Sequence, residues 1–229
     1  MRIDKLLSHL KYCTRSEAKQ YLNMHTVLVN GKRVLSPGEE VFPERYDITI
    51  DGEIMFYKPE IHLMMYKPKG YISANHDRMF PCAIDLIKEP YHRFDFSIAG
   101  RLDVDAEGLL ILTTSGTLVH EITSPRKHLE KIYEVILDKP FRHEQKLMSG
   151  VEIQDGKSEL YTAKALHIET KGNVCYLTID EGKFHQVKRM FKAVGYDVLN
   201  LKRIQIGALK LGKLAPGEYI EFNKENLYD

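Results

Sequence analysis

The sequence changes character once, at Tyr57-Lys58-Pro59-Glu60, and that break constrains the possible folds more than any other feature. Before it, helix-spaced and strand-like segments are packed into the first quarter of the chain. After it, short apolar runs follow one another with few helical patterns between them. Proline restricts the residue preceding it and interrupts regular pairing, so the break reads as a join. The expected organisation is a module over residues 1–57, a linker over 58–61 and a larger domain over 62–229.

In the first module, Ile3, Leu6, Leu7 and Leu10 recur at helical spacing and predict a short helix over residues 3–11. Thr14-Arg15-Ser16-Glu17 has the form of a capping box, with Thr14 as N-cap and Glu17 reaching back, and opens a second helix buried through Ala18, Tyr21 and Leu22. Val27-Leu28-Val29 and Lys32-Arg33-Val34 flank Asn30-Gly31, a dipeptide that tolerates positive φ at both positions and so predicts a tight hairpin. Pro37-Gly38 marks a turn, and residues 47–52 alternate like a strand.

Beyond the join, strands are predicted at Ile61–Tyr66, Ser97–Ala99, Leu109–Thr114, Ile132–Leu137, Ala163–Ile168, Val174–Ile179 and Tyr219–Phe222, with helices at Thr117–Ile122 and Phe184–Val194. Many strands with few helices imply an α+β fold, its larger domain built on a mainly antiparallel mixed sheet.

The net charge of +1 conceals strong local asymmetry. Residues 1–33 carry seven basic side chains (Arg2, Lys5, Lys11, Arg15, Lys19, Lys32 and Arg33) against Asp4 and Glu17. Residues 34–59 carry six acids, and residues 183–213 carry eight basic side chains against Asp197 alone. Two basic blocks suit a polyanion held at two places. Arg2, Lys5, Arg15 and Lys19, with Lys32 and Arg33 on the hairpin, would grip phosphates without reading much sequence. Lys183 and Arg189 are the corresponding candidates in the later block. Cys13, Cys82 and Cys175 form no CxxC pair, which argues against a disulfide framework or a zinc site and suggests small core residues. No apolar stretch resembles a signal peptide or approaches the ~20 residues of a membrane span, so a cytoplasmic protein is expected.

The most specific segment is Gly100-Arg101-Leu102-Asp103-Val104-Asp105-Ala106-Glu107-Gly108, which runs into Leu109-Leu110-Ile111-Leu112-Thr113-Thr114. A glycine-bounded acidic loop ahead of a buried strand can hold a carboxylate rigidly at a cleft edge. Asp103, Asp105, Glu107 and Gly108 also match the opening of a calcium-binding EF-hand loop. The twelfth position, however, is Thr114 rather than Glu, and the flanks read as strand. No metal site is therefore expected. Asp105 and Glu107 are read as solvated loop acids, and His185 as a structural hydrogen-bonder beside Gln186.

Arg2-Ile3-Asp4-Lys5-Leu6-Leu7, Thr14-Arg15-Ser16-Glu17-Ala18 and Val27-Leu28-Val29-Asn30-Gly31 together resemble the S4 RNA-binding module. Gly100-Arg101-Leu102-Asp103 before Gly108-Leu109-Leu110-Ile111-Leu112-Thr113 resembles the catalytic-aspartate motif of pseudouridine synthases. Ser124-Pro125-Arg126, the Lys131-Ile132-Tyr133 strand and Leu177 to Met190 resemble later motifs of that family, in order. Ala106 is a departure, since the family often has Thr there. His185-Gln186-Val187-Lys188-Arg189-Met190 looks most like the branch acting on small-subunit 16S ribosomal RNA.

The resemblance implies isomerisation of uridine to pseudouridine, a redox-neutral rearrangement that demands no cofactor. Asp103 would act on the ribose as nucleophile or base; the sequence leaves both open. Burial raises a carboxyl pKa and a neighbouring cation restores the ionised form. Lys188 matches the family residue that pairs with the aspartate, Arg101 would hold RNA or the loop, and Arg189 is a rival. Tyr133 and Leu177 are implied to stack on a flipped-out uridine. The expected partner is ribosomal RNA or a pre-ribosomal subunit, bound by a monomer. The same chemistry on large-subunit RNA and a non-catalytic ribosome-assembly protein are the alternatives. An S4-bearing methyltransferase would need a glycine-rich strand-to-helix turn, and the glycine clusters here precede strands or turns.

Overall fold

The computed structural model describes residues 1–124 and 127–228, so Pro125 and Arg126 of the Ser124-Pro125-Arg126 motif lie outside the described residues. The chain forms two compact units. The first comprises Met1–Ile61 together with Ile87–Asp95, and the second His62–Leu86 with Phe96–Asp229.

The first unit has helices α1 (Ile3–His9) and α2 (Ala18–Met24) and strands β1 (Val27–Val29), β2 (Lys32–Arg33), β3 (Ile48–Ile50) and β4 (Glu53–Ile54). The strands pair in the order β2-β1-β3-β4. Ile3, Leu6, Leu7, Leu10, Ala18 and Leu22 are all buried, which accounts for the helical spacing. Asn30 and Gly31 both have positive φ, as the tight turn between β1 and β2 requires. Only half of the expected capping box forms. Glu17 accepts the Thr14 backbone N–H at 2.9 Å, but the Thr14 hydroxyl donates to the same carboxylate at 2.6 Å instead of capping an amide, and the helix begins only at Ala18.

The sequence carried no sign that residues 87–95 belong with this unit. Phe56 packs edge-on against Tyr91 and Phe94, the Arg93 guanidinium lies 4.5 Å from the Tyr12 ring centroid, and Lys11 pairs with Asp95 at 2.8 Å.

In the second unit the elements are β5 (His62–Lys67), β6 (Ser97–Ala99), β7 (Glu107–Thr113), α3 (Gly116–Thr123), β8 (Lys131–Leu137), α4 (Glu144–Ser149), β9 (Val151–Gln154), β10 (Leu160–Ala163), β11 (His167–Lys171), β12 (Val174–Ile179), α5 (Gln186–Ala193), β13 (Val198–Ile206), β14 (Leu209–Lys210) and β15 (Tyr219–Glu221). The main sheet runs β11-β12-β8-β13-β7-β5-β15, with β14 beside β13 and β6 beside β7. Every pairing is antiparallel except β13 with β7. The fold is therefore α+β on a mixed, mainly antiparallel sheet, as expected.

Two strand expectations need correction. The single strand anticipated at Ala163–Ile168 is the end of β10 and the start of β11, and β10 pairs with β9 in a separate two-stranded sheet. The central strand β13 was not anticipated at all. Its register against β8 shifts between Val198 and Asn200 and again between Arg203 and Gln205. Such bulges break the alternation by which a strand is recognised.

One apolar cluster joins β8 and β12 to α4, β9 and α5 through Val135, Leu177, Leu147, Ile153, Met190 and Phe191, among others. A second joins β5 and β7 to α3 through Met64, Leu109, Ile111, Leu118 and Ile122. Among the described residues no helix is long and apolar enough to cross a membrane.

Candidate active site

The loop from Gly100 to Ala106 carries Asp103 and is tied at many points. Gly100 has φ of +79°. Ser73 Oγ accepts the Leu102 N–H at 3.0 Å and donates to the Leu102 carbonyl at 2.9 Å. The Gly70 N–H donates to Val104 O at 2.7 Å, and the Ala106 N–H to Asp103 O at 3.2 Å. Two buried cations hold the loop's ends. Arg203, on β13, donates through Nη2 to Gly100 O at 2.6 Å and through Nε to Leu109 O at 2.8 Å. Lys67, at the end of β5, donates to Ala106 O and Tyr71 O, both at 2.7 Å, and to Pro68 O at 2.9 Å. Burial pushes the Lys67 ammonium down to about 8, although Asp103, Asp105 and Glu107 pull the other way.

Asp103 is paired from the first turn of α5. Lys188 Nζ lies 3.0 Å from its Oδ2 and 2.6 Å from Asp105 Oδ1, and His185 Nε2 lies 3.3 Å from Asp103 Oδ1. Burial disfavours the Lys188 ammonium, but its hydrogen bonds to Asp105 and Asp103 win and raise its pKa. For Asp105, burial pushes the carboxyl up and Lys188 brings it net below the usual range. Asp105 is therefore not simply a solvated acid. Nor is Glu107, which accepts hydrogen bonds from the Tyr66 hydroxyl at 2.8 Å and from Asn200 Nδ2 at 3.0 Å. His185 sits in the left-handed region (φ 52°) just before α5, its ring stacked on Phe184 at 3.8 Å. Gln186 is turned elsewhere, accepting the Lys183 N–H at 3.0 Å and donating to Glu181 at 2.9 Å.

A pocket opens beside Asp103 in the second unit. Arg101, Asp103, Lys131, Tyr133, Ile179, Lys183, His185 and Arg203 all contribute to its walls. Tyr133 comes from β8, with its hydroxyl 3.5 Å from Arg203 Nη1. Leu177 faces Tyr133 in register on β12 but is fully buried in the core cluster and does not line the pocket. Side chains two apart on a strand share a face, and Ile179 is the residue of that face that reaches the pocket. Arg189 turns away from Asp103 and donates to the Gln154 carbonyl and, at 2.8 Å, to Asp155 O. Lys183 is exposed, with Nζ 3.4 Å from the Tyr161 ring centroid.

In the first unit, Lys5, Lys19, Lys32 and Arg33 are exposed. Arg2 and Arg15 differ in also reaching the buried Asp4 carboxylate, at 2.8 and 3.5 Å.

Sequence reasoning missed Lys67 and Arg203. A signal existed for Arg203, which lies two residues from Leu201 on the buried phase of β13 and is 1% exposed. A charged residue in that phase needs buried partners. Lys67 ends a strand in which every residue is buried, just before Pro68.

A model of the RNA pseudouridylate synthase family matches residues 61–193, and an S4 domain model matches residues 1–44. An uncharacterized RNA pseudouridine synthase of Bacillus subtilis is 42% identical, the match covering 100% of this chain and 97% of that one. The ribosomal small subunit pseudouridine synthase A of Escherichia coli K12 is 36% identical over 99% of this chain and 98% of its own. A crystal structure of a pseudouridylate synthase, 33% identical, superimposes with a TM-score of 0.67 over 99% of this chain and 98% of that one. The matched range contains Asp103, Tyr133 and Lys188, while Arg203 falls beyond it. With similarity running the length of the chain and an S4 domain at its start, this protein belongs to the RNA pseudouridine synthase family.

Proposed function

We propose that this enzyme isomerises a uridine of small-subunit 16S ribosomal RNA, with Asp103 as the carboxylate that acts on the ribose. The observation carrying the assignment is the half-exposed Asp103 at the pocket wall, ion-paired to Lys188 at 3.0 Å on a loop anchored at both ends. An ionised, rigidly held carboxylate is what either a nucleophilic or a basic role requires. Tyr133 and Ile179 offer flat and apolar surface for a flipped base. The choice of ribosomal RNA rests on the named activity of the small-subunit relatives and on the S4 domain, whose exposed Lys5, Lys19, Lys32 and Arg33 suit phosphates. The rearrangement is redox-neutral and proceeds without a cofactor. The enzyme acts as a cytoplasmic monomer on RNA or on a pre-ribosomal particle.

Asp103→Asn keeps shape and polarity while removing the charge. It should abolish tritium release from 16S transcripts labelled at uridine C5, with melting and RNA affinity retained. Glu169→Gln, an exposed side chain on β11, is the active control; Asp105→Asn is unsuitable because Asp105 also binds Lys188. Wild-type tritium release by folded Asp103→Asn would refute the assignment. Release from 23S but not 16S transcripts would move the substrate to the large subunit.

A further inference from the structure

Lys131 and Tyr133 are two residues apart on β8, where burial alternates strictly, so their side chains stand on the same buried face. Lys131 is 5% exposed and lines the pocket. Its Nζ donates to the Leu129 carbonyl at 2.8 Å, its one acceptor among the described residues. An ammonium has three N–H donors. The other buried or half-buried cations around the pocket are engaged differently. Lys67 holds three carbonyls, Arg203 two carbonyls and the Tyr133 hydroxyl, and Lys188 two carboxylates.

Two charged groups from neighbouring elements bear on Lys131. Arg203 on β13 opposes its charge, and Asp180, just after β12 and held by His128 at 2.6 Å, favours it. The same pocket is also lined by Asp103, Arg101, Lys183, His185 and Glu181. Burial brings the Lys131 ammonium down to about 8, so it stays protonated at neutral pH in a site that screens charge poorly.

We propose that Lys131 donates a hydrogen bond to a carbonyl oxygen of the flipped uracil and stabilises the negative charge the base takes on when its bond to ribose breaks. The proposal rests on the assignment of Asp103 above. When N1–C1′ breaks, the bonding pair moves onto the uracil and spreads over N1, O2 and O4. On the nucleophilic route C1′ becomes bonded to an Asp103 oxygen. On the basic route Asp103 removes the C2′ proton and a glycal forms. Either way the base leaves as an anion, and Lys131 keeps its proton while hydrogen-bonding it. C5 then forms the new bond to C1′, releasing the carboxylate or recovering the C2′ proton. The C5 hydrogen departs as a proton and N1 gains one, so the product is an isomer of the substrate. A buried, prepositioned cation where charge develops is worth more to the transition state than to neutral uridine.

The test is single-turnover tritium release from C5-labelled 16S transcript by the intact enzyme and by Lys131→Met and Lys131→Gln, with Asp103→Asn in parallel. Removal of one such donor should slow both Lys131 variants by roughly 10²–10³-fold while RNA affinity is unchanged. Lys131→Gln can still donate to Leu129 O, so a purely structural lysine predicts wild-type rate for it, which would overturn the proposal even if Lys131→Met failed to fold. Transcript containing 5-fluorouridine gives the second readout, followed as rearranged nucleoside in digests. Fluorine stabilises the departing anion, so the Lys131→Gln penalty should shrink. An equal penalty on both substrates contradicts a charge-stabilising role. Activity in Asp103→Asn would topple the assignment of the carboxylate, whereas an inactive Asp103→Asn beside a fully active Lys131→Gln removes Lys131 alone.

Discussion

Replacing Gly108 with alanine tests the join between β7 and β13. Gly108 has φ of +105°, and a Cβ built on it would lie 2.2 Å from the Arg203 carbonyl oxygen and 2.8 Å from the Arg203 nitrogen. Both atoms are backbone of the paired strand, at the register position Arg203↔Gly108, so no flexible side chain can yield. The left-handed conformation costs about 1–2 kcal/mol, and forcing atoms into a packed core about 1–3 kcal/mol. Weakened pairing along Lys202↔Glu107 and Arg203↔Gly108 adds about 0.5–1.5 kcal/mol for each hydrogen bond broken. A loss of roughly 3–6 kcal/mol is therefore expected, and at about 2–4 °C per kcal/mol for a unit this large the melting temperature should fall by roughly 6–24 °C. The displacement also shifts Arg203, whose guanidinium holds Gly100 O and Leu109 O, so tritium release should fall even at temperatures where the variant remains folded. Calorimetry and urea titration measure the first effect and a rate assay at low temperature the second. A Gly108→Ala protein melting within a few degrees of wild type, with full activity, would show that the strands part without cost and that the close approach is not needed.

Tyr133→Phe should keep most activity and Tyr133→Ala little, since a stacked base is worth roughly 1–3 kcal/mol; equal turnover of Ala and wild-type proteins would remove Tyr133 from the site. Lys67 has a folded-state pKa of about 8 against an ordinary value of 10.5. Above pH 8 the unfolded chain binds more protons at this position than the folded one, so stability rises with pH there. Relative to Lys67→Met, wild type should gain on the order of 2 kcal/mol between pH 8 and 10 in paired urea titrations, and a flat difference would contradict a desolvated ammonium. Changing Lys5, Lys19, Lys32 and Arg33 together to Gln should flatten the logarithmic salt dependence of RNA binding by about 0.7–0.9 for each phosphate no longer neutralised, and an unchanged slope would place the RNA elsewhere. Cutting the chain after residue 57 is a poorer test, because it strips Phe56 from the rings of Tyr91 and Phe94 and should lower the melting temperature by itself.

Local rules made much of the first unit legible. The spacing of Ile3, Leu6, Leu7 and Leu10 and the Asn30-Gly31 turn depend on near neighbours only. The loop bearing Asp103 was recognisable because its residues are contiguous, and Lys188 because a motif marks it. Arg203 and Lys67 were not recognisable, since their partners are backbone carbonyls, which have no side-chain identity to read, and in Arg203's case they lie far away in the chain. The partner of His185 was not legible for a related reason. Its pairing with Asp103 depends on a single left-handed residue ahead of α5, a backbone conformation that histidine does not announce. Leu177 and Ile179, only one of which lines the pocket, lie two positions apart on the same face of β12, a distinction finer than any pattern of apolar residues resolves.

The position of β13 in the sheet has a consequence for synthesis. This strand lies between β8 and β7, so it joins the β11-β12-β8 half of the sheet to the β7-β5 half, yet it is made from residues 198–206. A nascent chain that has not yet emerged through residue 206 holds two half-sheets, each with a bare inner edge. Unpaired edges recruit other strands. The Asp103 loop at that stage also lacks the arginine that holds Gly100, so its anchoring waits for the last long strand to dock.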